Sequence, residues 1–228
     1  MIGDLYVVAT PIGNLQDISF RAIETLSKVD LIAAEDTRIT RRLLDKYEIS
    51  KKTVSFHVKN ESFKVESIIE LLVNGKNIAL VSDAGTPCIS DPGYVLVNEA
   101  RKKNIKVYSI PGATSPIAAL SISGLPSERF FFEGFLPKKK GRSKRLLELS
   151  DMDVTTVFFE SPHRLLKTLK DIYDVMGDRY VSICKEISKL NEENFFGKVS
   201  NIIITVQELP SIKVEYVVMV AKEGYGEK

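Results

Sequence analysis

The chain has 228 residues, 44% hydrophobic and 27% charged, a balance that fits an ordinary globular protein of one or two domains. Thirty-two Lys and Arg against 30 Asp and Glu leave a formal charge of +2, which excludes bulk attraction to a polyanion; any nucleic-acid contact must come from a local patch. Cys88 and Cys184 set no disulfide or metal-ligand spacing, the first residues do not read as a signal peptide, and no apolar run approaches the ~20 residues that span a bilayer, so a cytoplasmic protein with reduced thiols and no membrane partner is expected.

Residues 5–9 read as a first buried strand, followed by the loop Thr10-Pro11-Ile12-Gly13-Asn14. Asp17 is placed to cap a helix with apolar positions Ile18, Ala22, Ile23 and Leu26. A second strand, 31–34, ends in Glu35-Asp36-Thr37-Arg38, and a helix carrying Leu43, Leu44 and Tyr47 follows. A short third strand covers 54–57. Val65, Ile68, Ile69 and Leu72 keep i, i+3, i+4, i+7 spacing, and Asn74-Gly75 ends that helix. The apolar strand 78–81 opens into residues 82–93, Ser-Asp-Ala-Gly-Thr-Pro-Cys-Ile-Ser-Asp-Pro-Gly, where Asp91 and Pro92 read as an N-cap and a first-turn proline. A fifth strand, 105–110, leads to Pro111-Gly112-Ala113-Thr114-Ser115-Pro116, with a second cap and proline at Ser115 and Pro116 and a helix to about residue 123. Strands alternating with helices predict a mostly parallel sheet covered on both faces.

Gly124-Leu125-Pro126 breaks this pattern after a complete five-strand α/β unit, and two domains are expected, 1–115 and 116–228. The second half opens with a strand at 129–135, rich in phenylalanines that read as core. A basic segment follows, read as a flexible loop holding Lys138, Lys139, Lys140, Arg142, Lys144 and Arg145. Residues 155–159 form a strand, and Ser161-Pro162 caps a helix with Leu165, Leu166, Leu169 and Ile172 that stops near Gly177. Strands at 180–184 and 213–221 flank a segment, 201–209, whose β-branched content favours strand and whose preceding Ser200 favours a helix; helix is the expectation. The less regular order predicts a mixed or antiparallel second sheet.

Three strand-end loops, 10–14, 82–93 and 111–116, concentrate Gly, Pro and small hydroxyl residues. Such loops at the carboxyl ends of strands are where open α/β sheets bind ligands. None contains Gly-Lys-Ser/Thr or Gly-x-Gly-x-x-Gly, which argues against phosphoryl and hydride transfer. An adenosine-containing cofactor without a phosphate chain fits loops with few cations. Glu35-Asp36-Thr37-Arg38 has a plain structural account as a helix cap with a local ion pair. His57 and His163 stand far apart, and no metal site is expected. The basic segment stands out against near-neutral bulk charge and suits phosphate contacts.

In order along nearly the whole chain, the segments 8–15, 35–38, 82–93, 111–114, 134–137, 159–164 and Lys185-Glu186 resemble those of the bacterial small-subunit ribosomal RNA (cytidine-2′-O)-methyltransferases, members of the tetrapyrrole-methylase fold. The chain departs in having Ile187-Ser188-Lys189 where that family usually has Leu-Thr-Lys. The resemblance implies a two-domain, class III S-adenosylmethionine methyltransferase fold with the cofactor in a cleft between domains, a homodimer, and ribosomal RNA in the small subunit as partner. It implies cofactor contacts at Pro11, Asp83, Gly85, Thr86, Ile89, Ser90, Ala113, Thr114, Ser115, Phe159 and Cys184. Methyl transfer needs in-line alignment and removal of a hydroxyl proton. Asp36, Glu35, Glu160 and Glu186 are the candidate proton acceptors, with Arg38 or Lys185 placing the nucleotide. Two rival readings share the fold: a methyltransferase acting on a tetrapyrrole or other small molecule, and a non-catalytic RNA-binding assembly factor.

Overall fold

The computed structural model describes residues 1–208 and 215–226. The chain divides into two compact units, Met1–Thr114 and Ser115–Lys228.

The first unit carries strands β1 (Leu5–Val8), β2 (Leu31–Ala34), β3 (Thr53–Ser55), β4 (Ile78–Val81) and β5 (Val107–Ile110). Between them lie helices α1 (Phe20–Lys28), α2 (Thr37–Lys46), α3 (Glu61–Val73) and α4 (Tyr94–Lys102). The strands pair in parallel in the order β3-β2-β4-β1-β5. The period-2 alternation of strand side chains sorts the core. Leu31, Ala33, Ile78 and Leu80 pack with Val65, Ile68 and Leu72 of α3 and Leu96 of α4 on one face. Ile32, Ala34, Ala79 and Val81 pack with Ala22 and Leu26 of α1 and Leu43 and Leu44 of α2 on the other. Two buried faces explain why β2 and β4 are unbroken apolar runs. The connection leaving β1 crosses one face toward β2, and the connection leaving β4 crosses the other toward β5. The paired strands β1 and β4 therefore form the switch point of the sheet, where α/β folds open a ligand crevice at the strands' carboxyl ends.

The second unit carries α5 (Ser115–Ile122), β6 (Phe130–Phe135), α6 (Arg142–Ser150), β7 (Thr155–Glu160), α7 (Pro162–Met176), β8 (Tyr180–Lys185), β9 (Glu193–Lys198), α8 (Val199–Glu208) and β10 (Tyr216–Val220). Its sheet, β6-β7-β10-β8-β9, is mixed: β6 and β7 run in parallel and the remaining neighbours antiparallel. Helices α6, α7 and α8 pack on one face through Leu146, Leu169 and Ile202. Ala119 and Leu120 of α5 pack on the other, against Val157, Cys184 and Met219.

The α/β class, the parallel first sheet and the mixed second sheet match the expectation. Several local expectations are corrected. Ser19, not Asp17, caps α1, accepting from Ala22 N at 3.1 Å. Gly93, at φ 131°, caps α4 in place of Asp91, and Ser115 lies inside α5. Residues 142–145 of the basic segment are not flexible loop but the start of α6. Phe130 and Phe135 are exposed because β6 is an edge strand, bulged between Phe132 and Gly134. Strand β9 has no counterpart among the elements expected from the sequence. The expected helix end at Leu209 and strand start at Lys213 lie outside the described residues.

Candidate active site

The loops after β1, β4 and β5 are tied together within the first unit. Thr10 and Gly85 exchange two backbone hydrogen bonds, Thr10 N to Gly85 O at 2.9 Å and Gly85 N to Thr10 O at 3.1 Å. The Thr86 hydroxyl donates to Ala113 O at 3.2 Å. Gly85 sits at φ +85°, and a Cβ there would lie 3.3 Å from Ile12 Cγ2. A Cβ on Gly112 would lie 3.0 Å from Ala9 Cβ. Glycine is thus required both for backbone conformation and for close approach of neighbouring loops. Cys88 and Ser90, at φ 71° and 64°, hold further left-handed conformations in the same loop, the kind of strain that collects at ligand sites.

The ends of β2 and β4 are laced by carboxylates. Asp83 Oδ1 accepts from Asp36 N at 2.8 Å, and Asp83 N donates to Glu35 Oε2 at 3.2 Å. Asp36 also caps α2 through Arg38 N and pairs bidentately with Arg38, at 3.0 Å (Nε–Oδ1) and 2.6 Å (Nη2–Oδ2). The plain account of this motif is therefore realised in the structure, while Arg38 remains 86% exposed. The Arg38 guanidinium holds the Asp36 carboxyl far below the usual carboxylate range. Burial raises Glu35 and Asp83 instead. Three adjacent carboxylates are thereby divided into one poor and two better proton acceptors. Beside them, Pro11, Leu15, Ile39, Leu43, Thr10, Thr40, Ser82, Asp83 and Arg42 line a cavity of about 180 Å³.

In the second unit the expected residues cluster at the ends of β7 and β8. The Phe159 ring meets Phe132 edge-on at 5.3 Å and Phe135 at 5.2 Å. Cys184 is 1% exposed, so its side chain cannot reach a ligand; burial pushes its thiol up to about 12 and that of Cys88 up to about 11, which removes both as nucleophiles at neutral pH. Lys185 is buried and paired with Glu193 of β9. Glu186 adopts φ 51° and faces Lys189 at 4.0 Å.

Two expectations are corrected here. Glu160 has no exposed surface; Oε1 accepts from Ser161 N at 2.8 Å and Oε2 from the Thr168 hydroxyl at 2.6 Å, so both oxygens are spent within the protein. Arg142 is 6% exposed and turned inward onto Asp171, Thr168 and Pro137 O, so it does not offer its charge to a phosphate. Arg145 is held by Glu133 and Glu148 and lies over the Phe131 ring. Lys138, Lys139, Lys140 and Lys144 remain exposed or partly so. Thr168 and Asp171 escape a reading of the sequence alone; their signal is the i, i+4 ladder Arg164, Thr168 and Lys167, Asp171 along α7.

The profile of the Tetrapyrrole (Corrin/Porphyrin) Methylases matches residues 4–203. The chain is 50% identical over 227 residues to a ribosomal RNA small subunit methyltransferase I of Halalkalibacterium halodurans, covering 99% of this chain and 78% of that one. It is 48% identical over 222 residues to the protein of the same name from Thermotoga maritima, covering 97% and 100%. Among solved structures, diphthine synthase superposes with a TM-score of 0.75 at 18% identity, over 95% of this chain and 89% of that one. The uroporphyrin-III-C-methyltransferase of Thermus thermophilus superposes at 0.64 and 19% identity, over 96% and 94%. These two likenesses concern the fold alone. The chain belongs to the tetrapyrrole methylase family, and within it to the group formed by the ribosomal RNA small subunit methyltransferase I proteins.

S-adenosylmethionine is the methyl donor of this family. The first unit fits it on its own terms. Gly112 lets the loop after β5 pack closely on Ala9, which fixes the two loops against each other, and Asp83 and loop carbonyls suit a sulfonium cation better than a phosphate chain.

Proposed function

We propose that the protein transfers a methyl group from S-adenosylmethionine to the ribose 2′-oxygen of a cytidine in small-subunit ribosomal RNA. The observation that carries this reading is the near-full-length identity to proteins named as small-subunit ribosomal RNA methyltransferases, in a chain that also presents Lys138, Lys139, Lys140 and Lys144 in one short stretch. A tetrapyrrole bearing several carboxylates would also be drawn to cations, so the identity and not the cationic stretch separates the two readings.

The cofactor supplies an electrophilic methyl on sulfur, so no metal is needed for activation. The chain has to align the oxygen with that methyl and take up its proton. Within the first unit, Pro11, Asp83, Gly85, Thr86, Ile89, Ser90, Ala113 and Thr114 form the donor-side loops, and Asp36 and Arg38 form the substrate side. Asp36 positions the Arg38 guanidinium, which meets a phosphate or the nucleotide; Glu35 and Asp83, with raised proton affinity, are better placed in energy to accept the proton. The second unit contributes Ser115, Phe159, backbone beside Cys184, Lys185, Glu186 and the lysine stretch. The two domains, 1–115 and 116–228, thus each carry part of the donor contacts, the first adding the substrate-side Asp36 and Arg38 and the second the lysine stretch. A homodimer in the cytoplasm completes the reading, and light scattering of the purified chain tests the dimer.

Incubation with methyl-labelled cofactor and either intact small subunits or free ribosomal RNA tests the function. Label is expected on one cytidine ribose. Label on a tetrapyrrole, or RNA binding with no saturable cofactor binding in calorimetry, overturns it.

A further inference from the structure

Charged side chains leave water only at high cost unless each is paired and hydrogen-bonded. In the second unit Arg142 keeps 6% of its surface, and Glu160 and Thr168 keep none. The three are wired in series: the Thr168 hydroxyl accepts from Arg142 Nη2 at 2.7 Å and donates to Glu160 Oε2 at 2.6 Å. Arg142 Nε donates to Asp171 Oδ2 at 2.8 Å, and Arg164 Nε lies 3.4 Å from Glu160 Oε1. Apolar side chains of similar volume would hold α6 on α7 without the desolvation penalty. Packing alone therefore leaves the cluster unexplained.

The remaining donors of both guanidiniums converge on one short stretch of backbone. Arg142 Nη1 donates to Pro137 O at 3.1 Å, and Arg164 Nη2 to Leu136 O at 3.0 Å. These are the two residues immediately before Lys138, Lys139 and Lys140. The far end of the turn is closed by Arg142 N donating to Lys139 O at 3.3 Å, with Gly141 at φ 79°. The lysine turn is anchored on both sides by one buried network.

We propose that Thr168 is a positioning residue for RNA capture: backed by the Glu160 carboxylate, it locks Arg142 and so fixes the turn that presents Lys138, Lys139 and Lys140 to phosphates. The proposal rests on the reading of the chain as an RNA methyltransferase. Its physical advantage is preorganisation: a turn already ordered loses less conformational freedom when RNA binds. Glu160 is then a buried electrostatic anchor and not a proton acceptor.

The full chain with Thr168→Val keeps the side-chain volume and breaks the relay; Thr168→Ser keeps the hydroxyl. Binding to small-subunit ribosomal RNA is expected to weaken about 5-fold in the valine variant and to recover in the serine variant. KM for RNA rises, while kcat at saturating RNA and the Kd for S-adenosylmethionine hold. In a Lys138→Ala, Lys139→Ala, Lys140→Ala background, Thr168→Val adds nothing, because both changes act through the same lysines. Should the valine variant fail to fold, Asp171→Asn, on the partly exposed side of Arg142, gives the same readout. If the triple alanine weakens RNA binding and neither Thr168→Val nor Asp171→Asn does, or if the losses simply add, the positioning role is overturned and the RNA reading stands. If the triple alanine also leaves RNA affinity unchanged, the role of the lysine turn falls, and the positioning role with it. Absence of any methyl transfer to RNA by the unaltered chain overturns the functional reading itself.

Discussion

Asp36 and Glu35 are neighbours in sequence and opposites in chemistry. Asp36 carries a bidentate guanidinium and is held strongly ionised, whereas Glu35 is partly buried and raised. An Asp36→Ala variant removes the cap and releases Arg38 without touching the donor-side loops. Cofactor binding is expected to hold while methyl transfer falls by about 10²-fold, the scale of a lost alignment; full-rate transfer by that variant would defeat the substrate-side assignment. For Glu35 the sign runs the other way from a usual carboxylate. Its folded value lies above its unfolded one, so the native state binds the extra proton and stability falls as pH rises through the interval above the ordinary glutamate range. Glu35→Gln keeps an acceptor for Asp83 N and removes the titration. Denaturant melts across pH should show the glutamine variant gaining stability relative to the unaltered chain as pH rises through that interval, and flattening above it. A constant offset at every pH would contradict the burial argument.

The elements legible in the sequence are those whose periodicity is clean. Helix α3 buries Val65, Ile68, Ile69 and Leu72 with full helical spacing, and β2 and β4 are apolar because both faces are covered. Helix α6 is hidden because one position of its inward face is Arg142, placed i, i+4, i+7 with Leu146 and Leu149. A buried arginine satisfied by Thr168 and Asp171 breaks the apolar stripe that marks a helix, and a run of cations then reads as loop. Edge strand β9, Glu193–Lys198, is hidden for a related reason: none of its residues is fully buried, and its pairing with β8 is long-range information. The loops after β1, β4 and β5 are recognisable from glycine and proline placement, but their mutual bonding is not, since Thr10 and Gly85 are joined only through the sheet order. Gly85→Ala tests that bonding. An alanine at φ +85° is strained by about 1–2 kcal/mol. The expected result is a melting temperature lower by roughly 2–8 °C together with weaker cofactor binding. Loss of stability alone, with cofactor affinity intact, would separate the bridge from the donor site.

For the molecule as a whole, a formal charge of +2 sets how it meets RNA. There is no broad positive field to gather phosphates at long range, so capture depends on a few cations held in one place. The six basic side chains between residues 138 and 145 do not act alike. Arg142 is buried in an ion cluster, Arg145 is neutralised by two glutamates, and Lys138, Lys139, Lys140 and Lys144 reach solvent. Four phosphate contacts to single-stranded RNA predict a slope of about −3 in log K against log salt, far shallower than a protein coated in basic charge would give. Replacing Lys138, Lys139 and Lys140 with alanine should reduce the magnitude of that slope by about 2, whereas Arg145→Ala should leave it nearly unchanged because its charge is already matched within the protein. Affinity measured at a series of salt concentrations distinguishes the two variants directly. Equal losses of slope in both would mean that Arg145 exchanges its glutamates for phosphate on binding, and that the division between structural and RNA-facing cations is set by the complex instead of by the free fold.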